Sequence, residues 1–287
     1  AVLSLFKQRT RELMKNEYVA RQRDSGKPLI EFLAYQLKCS NNKAKAVLDS
    51  RSVTINGRRV WMARHKLKPG DKILVITVDE RKTTKIRVLL KGANYIIVNK
   101  PPRQLTQGAK SVETTLREQL ENPALRAAHR LDKDTSGCLI FAKSDAAADA
   151  IRKVFYRRDV LKKYEAIVLG HLPKVQRTIK ADIDGLDAVT HYQVIRSNPE
   201  ASHIRVRIET GRTHQIRKHF AEIKHPVLGD KAYFLRKMSD PRLLGLGRQM
   251  LHANYLAFVD PLDERQIEVS APLPKDFRDC LKAFKLG

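Results

Sequence analysis

One stretch of this chain sets a carboxylate among cations and closes it with a turn: His129-Arg130-Leu131-Asp132-Lys133-Asp134-Thr135-Ser136-Gly137. Thr-Ser-Gly is turn-forming, and the apolar run Cys138-Leu139-Ile140-Phe141-Ala142 that follows reads as a buried strand, so the charged residues form a loop feeding the core. Charged groups held against the start of a core strand make either a structural ion-pair network or a reactive site. A reactive carboxylate acts as a nucleophile or as a general base. Two further stretches carry side chains with chemical capacity. Lys162-Lys163-Tyr164-Glu165-Ala166-Ile167-Val168 reads as a strand presenting a phenol, which by pattern alone is a core tyrosine with its hydroxyl satisfied. Thr210-Gly211-Arg212-Thr213-His214-Gln215-Ile216-Arg217-Lys218-His219 opens a helix with Thr213 as its expected N-cap, Ile216, Phe220 and Ile223 as its buried stripe and Pro226 as its stop. By pattern alone this is a basic surface helix. His214 and His219 lack a partner set with metal-ligand spacing and are read as hydrogen-bonding groups.

Lys plus Arg number 56 and Asp plus Glu 31, a formal charge of +25. So large an excess favours a polyanionic partner, because each phosphate neutralised releases a counterion. No long apolar run or lipidation motif points to a membrane. Cys39, Cys138 and Cys280 are far apart, without metal-ligand or disulfide spacing, and read as small buried residues in a reducing compartment. Ala1 to Phe6 lack the apolar core of a secretory signal. No Gly-rich phosphate loop and no Cys/His cluster is present, so neither cofactor nor metal is expected.

The chain divides by pattern into residues 1–25, 26–80 and 81–287. Residues 1–25 read as a basic arm or a late-docking helix. In 26–80, Leu29, Ile30, Phe32, Leu33 and Leu37 recur at helical spacing, and Ser40 caps a second helix carrying Ala44, Val47 and Leu48. Val53-Thr54-Ile55 is a strand, Asn56-Gly57 a hairpin turn, and Pro69-Gly70-Asp71 a turn into Lys72-Ile73-Leu74-Val75. The charged run over residues 78 to about 87 is the expected linker. Beyond it, strand Tyr95-Ile96-Ile97-Val98 ends at Asn99-Lys100-Pro101-Pro102, Ser111 caps a helix with Leu116 and Leu120, and Ser144 caps another with Ala147, Ile151, Val154 and Phe155. Ile204, Val206 and Ile208 alternate with Arg205, Arg207 and Glu209 in a half-exposed strand. Leu251–Val259 is a late strand, and Pro274 opens a final helix with Phe277, Cys280, Leu281 and Phe284 on one face.

His-Arg-Leu-Asp-x-x-Thr-Ser-Gly at residues 129–137 resembles the signature loop of the RluA-type RNA pseudouridine synthases. Asn-Lys-Pro at 99–101, Lys-x-Tyr-x-Ala at 162–166, Gly-Arg-Thr-His-Gln-Ile-Arg-x-His at 211–219 and Leu-His-Ala at 251–253 resemble further elements of that family, in the family's order. The segment Arg103 to Ser111 departs from it. Residues 26–80 resemble the S4 RNA-binding domain, with Val53-Thr54-Ile55-Asn56-Gly57 and Lys68-Pro69-Gly70-Asp71 as its recurring pieces. The resemblance implies Asp132 as the catalytic residue, Arg217 as its ion-pair partner and Tyr164 as the active-site aromatic. It implies Arg130 as a residue that fills the space left by a flipped base, with His129, Arg212, His214 and Gln215 beside the substrate. Lys43 and Arg58 would supply phosphate contacts from the smaller domain, positioning RNA without reading its sequence.

The implied reaction breaks the uridine N1–C1′ bond, turns the uracil and joins C5 to C1′, with no redox change and no group transferred to another molecule. A carboxylate must act at C1′ or C2′ inside a pocket, where burial alone favours its neutral form, and a neighbouring guanidinium offsets that. The target base must leave its stack. The expected fold is α+β, a mixed and mostly antiparallel sheet with helices packed on it, preceded by the small α+β S4-like domain. The implied substrate is large-subunit (23S) ribosomal RNA, with transfer RNA as the alternative, in a monomeric, cytosolic, bacterial protein. Two other readings compete: a non-catalytic RNA-binding or ribosome-assembly factor, which has no need of a carboxylate among phosphates, and a nuclease, which calls for clustered carboxylates around metal ions.

Overall fold

In a computed structural model the protein is described over residues 13–49, 53–78, 85–173, 175–234 and 240–287. The chain forms two compact units, Ala1–Thr83 and Thr84–Gly287.

The smaller unit contains β1 (Leu13–Val19), α1 (Leu29–Gln36), α2 (Asn41–Asp49), β2 (Val53–Ile55), β3 (Arg58–Arg59) and β4 (Lys72–Val78). Its sheet runs β1-β4-β2-β3, with antiparallel pairing throughout. Asn56 and Gly57 both take positive φ, as a tight hairpin between β2 and β3 requires. Leu29, Phe32 and Leu33 of α1 and Ala44 and Leu48 of α2 pack on Val53, Ile73 and Val75. The expected arm over residues 1–25 is corrected by β1, which pairs along β4 from Leu13↔Val78 to Val19↔Lys72. β4 is a central strand whose second edge needs backbone partners, a demand that residues 13–19 do not announce by their own pattern. Residues 1–12 of that expected arm lie outside the described residues.

The larger unit contains β5 (Arg87–Lys91), β6 (Tyr95–Lys100), α3 (Val112–Gln119), β7 (Arg126–Ala127), β8 (Ser136–Ala142), α4 (Asp145–Tyr156), β9 (Leu161–Leu169), β10 (Gln176–Lys180), β11 (Val189–Ser197), β12 (Ala201–Ile208), α5 (Gln215–Glu222), α6 (Pro241–Leu244), β13 (Leu251–Val259), β14 (Gln266–Ser270) and α7 (Lys275–Ala283). Among the described residues its sheet runs β10-β11-β12-β9-β13-β8-β6-β5, with β14 beside β13 and β7 beside β8. Only β13 against β8 is parallel among the described strand pairs. This is the α+β, mostly antiparallel architecture that the sequence pattern implies. Ser111 and Ser144 cap α3 and α4 as expected, their hydroxyls accepting from the N–H groups of Thr114 and Ala147.

The period-2 alternation of the central strands divides the core between the two faces of the sheet. Ile96, Val98, Leu139 and Phe141 join Leu116 of α3 and Ile216 and Phe220 of α5 on one face. Tyr95, Ile97, Cys138 and Ile140 meet Ala147 and Ile151 of α4 on the other. Burying each large apolar side chain stabilises by about 1.5–3 kcal/mol, so the middle of the sheet is a stiff base for whatever is anchored at its strand ends. Among the described residues no helix is long and apolar enough to cross a membrane.

Candidate active site

The loop that carries Asp132 ends where β8 enters the centre of the sheet. Gly137 pairs with Lys100 of β6 on one side and Ala253 of β13 on the other, at φ 119°. A Cβ there would stand 2.1 Å from the Ala253 carbonyl oxygen, so the approach of the two strands demands glycine. Loop carbonyls are rarely free when they face a core, and here each from Leu131 to Thr135 is engaged. Thr106 Oγ1 donates to the Leu131 carbonyl at 3.0 Å and accepts the Leu131 N–H at 3.2 Å. The Thr135 N–H donates to the Asp132 carbonyl at 3.1 Å. Lys100 Nζ donates to the carbonyls of Lys133, Thr135 and Pro101 at 2.9, 2.8 and 3.1 Å. Arg248 Nη1 donates to the Asp134 carbonyl at 3.1 Å while its other nitrogens grip Asp276. Lys100 and Arg248 are both fully buried. Burial first, and the Arg248 charge second, push the Lys100 amine down to about 7. Leu131, buried in the core, anchors the start of the loop.

Held this way, the half-buried Asp132 side chain meets Arg217 of α5, with Nη1 to Oδ2 at 3.0 Å. The remainder of the guanidinium is fixed from behind. Nε and Nη2 form a fork on Asp230 at 2.6 and 2.9 Å, and the Tyr233 ring lies 5.1 Å from the guanidinium carbon. Asp230 also accepts the N–H groups of Ala232 and Tyr233. Burial opposes the charge on both partners. The bonds to Asp230 and then Asp132 nevertheless raise the Arg217 pKa, and the Arg217 contact with the backbone donors keeps Asp230 below the usual carboxylate range. Gly229, at φ 76°, lets the chain before Asp230 touch the Arg248 carbonyl, where a Cβ would come within 2.1 Å. The loops bearing Asp132 and Asp230 therefore lean on the same buried arginine.

Tyr164 of β9 is buried on the same face. Burial, then the Asp132 carboxylate, push its phenol above the usual range, so it stays protonated. His214 Nε2 lies 3.7 Å from Asp132 Oδ1, too long for a hydrogen bond, and Nδ1 lies 2.9 Å from the Tyr233 hydroxyl. Burial dominates its lowered pKa, against a partial pull from Asp132. A neutral ring accepting the Tyr233 hydroxyl at Nδ1 carries its hydrogen on Nε2, directed at Asp132.

Three of the expected site residues, Asp132, Tyr164 and Arg217, thus come together, with His214 beside them. Arg130 is exposed next to Asp132. Arg212 is half-buried, its Nε donating to the Asp187 carbonyl at 3.1 Å. Lys43 and Arg58 are exposed residues of the smaller unit. Three expectations are corrected. Gln215 is not available to a substrate: Oε1 accepts from Thr210 and the Arg212 N–H, and Nε2 donates to the Val189 carbonyl and Thr190, so both ends of its amide are engaged inside the fold. His129 Nε2 accepts the Ile140 N–H at 3.2 Å and the ring lies against Phe155. Burial first and Lys162 second push its pKa down to about 3, so it is a neutral brace for β8 rather than a cation for RNA. The N-cap of α5 is His214 at φ 57°, not Thr213: the Gln215 N–H is turned back onto the Arg212 carbonyl at 3.2 Å, and the His214 imidazole makes no capping bond but lies against the Tyr233 hydroxyl.

Asp230, Lys100, Arg248 and Thr106 have no role in the sequence reading. Thr106 lies in the segment that departs from the family pattern. Lys100 carried one signal, a cation closing an apolar strand before proline. Among the described residues, no group of three or more His, Cys, Asp or Glu is placed to hold a metal ion.

Residues 94–222 match the family model described as RNA pseudouridylate synthase. The chain is 30% identical to ribosomal large subunit pseudouridine synthase D of Buchnera aphidicola subsp. Schizaphis graminum, over 91% of this chain and 95% of that protein. It is 31% identical to the protein of the same name from Haemophilus influenzae, over 86% and 87% of the two chains. Among solved structures, human RNA pseudouridylate synthase domain containing 4 superposes with a TM-score of 0.58 at 26% identity, covering 69% of this chain and 93% of that one.

Proposed function

This chain belongs to the RNA pseudouridine synthase family, which isomerises uridine to pseudouridine in RNA, and we propose that its target lies in large-subunit ribosomal RNA, with Asp132 acting at the sugar. The substrate assignment rests on the names of the relatives that span nearly the whole chain. The observation that carries the assignment of Asp132 is its 3.0 Å bond to an Arg217 whose other face is locked on buried Asp230.

In this reading Asp132 attacks C1′ or removes the C2′ proton as a carboxylate, and Arg217 holds it in one orientation while the pocket is closed to water. Tyr164, kept protonated beside Asp132, forms the wall on which the flipped uracil stacks. Exposed Arg130 enters the space the base leaves. The smaller unit serves as an S4-like RNA-binding module; its two helices followed by the Asn56-Gly57 hairpin, with Lys43 and Arg58 exposed, support that role. A bacterial ribosomal substrate places the enzyme in the cytoplasm, and it acts as a monomer.

Pseudouridine mapping of ribosomal and transfer RNA tests the proposal, in cells lacking the gene and complemented with wild type or Asp132→Asn. The expected result is one or more ribosomal sites restored by wild type only. A site restored equally by Asp132→Asn, whose shape is unchanged and whose charge is gone, removes Asp132 from the chemistry. A site lost from transfer RNA instead removes the ribosomal assignment.

A further inference from the structure

The chain has a single tryptophan, Trp61, and it stands 60% exposed beside Met62 at 61%. Contiguous exposed apolar surface rimmed by polar residues is a feature of interaction sites. The segment bearing them is held along its length. Val60 N–H donates to the Val53 carbonyl at 3.0 Å, continuing the β2–β3 hairpin. The first N–H groups of α1, which have no partners inside the helix, donate back to this segment: Leu29 to the His65 carbonyl at 2.7 Å and Ile30 to the Ala63 carbonyl at 3.1 Å. His65 N–H closes on the Met62 carbonyl at 3.1 Å, and Pro28 bridges to Lys66. Val60, Ala63 and Leu67 turn into the core of the unit. The backbone is therefore fixed, its small and aliphatic residues are inward, and its one large aromatic is left outside.

The charge within this stretch is of one sign. Arg58, Arg64 and Lys66 are exposed, and the stretch from 58 to 66 contains no acidic residue. An apolar protein partner would be poorly served by three cations around the contact. An unpaired nucleobase offers a π-face for the indole and two flanking phosphates for the cations.

We propose that Trp61 is a stacking platform for an unpaired base of the RNA, seated by Arg58, Arg64 and Lys66, and that it directs the smaller unit to a loop or bulge rather than to a continuous duplex. This rests on the reading of the smaller unit as RNA-binding. A preformed platform loses little freedom on binding, which is why the rigid backbone matters.

Because Trp61 is the only tryptophan, the intrinsic indole fluorescence of the full chain reports on this residue alone. The full chain is titrated with a stem-loop RNA and with a fully paired duplex of equal length, while the anisotropy of labelled RNA reads binding independently. Stacking predicts quenching by the stem-loop and little change with the duplex. Trp61→Ala should weaken stem-loop binding by about tenfold and leave duplex binding unchanged, and Trp61→Phe should stay within about twofold of wild type, since a base–aromatic stack contributes on that scale. Stem-loop binding without quenching, or with unchanged affinity in Trp61→Ala, overturns the platform. In that event Arg58→Ala/Arg64→Ala separates the two ideas. Weaker binding in that variant leaves the RNA-binding reading standing without the stack, and unchanged binding removes both. Quenching by a ribosomal protein but not by RNA also overturns the proposal.

Discussion

Asp230→Asn keeps the shape of the side chain and removes the charge behind Arg217. In the wild type Oδ1 accepts three donors, Arg217 Nη2 and the N–H groups of Ala232 and Tyr233, while Oδ2 faces Arg217 Nε alone at 2.6 Å. The amide therefore keeps its oxygen at the Oδ1 position and turns its NH2 toward another donor, Arg217 Nε. One charge-assisted hydrogen bond, about 1.5–3 kcal/mol, is lost and a buried guanidinium loses its nearer counter-charge. We expect a net destabilisation of about 3 kcal/mol, or a fall in Tm of about 6–12 °C for a unit of this size. Arg217 then rotates toward its only remaining carboxylate, and an Asp132 displaced by about 1 Å loses about 100-fold in rate. The assays are thermal unfolding and single-turnover pseudouridine formation at saturating RNA. Asp184→Asn is the control. It removes a carboxylate bonded to Lys218, the neighbour of Arg217 on α5, but in an exposed pair worth at most about 1 kcal/mol. An Asp230→Asn enzyme with the melting temperature of wild type and a rate within about threefold of it, a change of under 1 kcal/mol, refutes the claim that the fork positions the catalytic pair.

Two other outcomes follow from the same network. Arg217→Leu leaves Asp230, whose side chain is fully buried, without a cation, so turnover should vanish and stability fall by about 3–5 kcal/mol; Arg217→Leu/Asp230→Leu should recover stability in urea unfolding but not activity, and recovery of neither would mean the pair is needed for more than its charge. Lys100 has its pKa pushed down to about 7 from the ordinary 10.5 by burial, so between those values the unfolded chain holds a proton that the folded chain has shed, and this residue makes stability rise with pH across that window. Measured by urea unfolding, wild type should gain about 2–3 kcal/mol on Lys100→Met between pH 7.5 and 9.5, and a constant difference would show that Lys100 does not titrate there.

The sequence alone determined those elements that carry a local signal. Period-2 alternation in residues 204–208, the Ser111 and Ser144 caps and the Asn56-Gly57 turn are local signals, and each element they imply is present. It also carried the three side chains that meet at the site, because the motifs around Asp132, Tyr164 and Arg217 can be read one stretch at a time. What decides whether a polar side chain is free or engaged is not local. Gln215 and His129 looked like contacts for a substrate, and only the packing of α5 on β11 and of the 129 loop on β8 shows their polar atoms taken. β1 is a strand because β4 had an open edge, a requirement set some fifty residues away. Lys100, Thr106, Asp230 and Arg248 act on Asp132 or its loop from distant parts of the chain. Their roles come into being only when β6, β8 and β13 lie side by side, because a buried carbonyl or charge must find its partner in space, and adjacency in the chain says nothing about who that partner is.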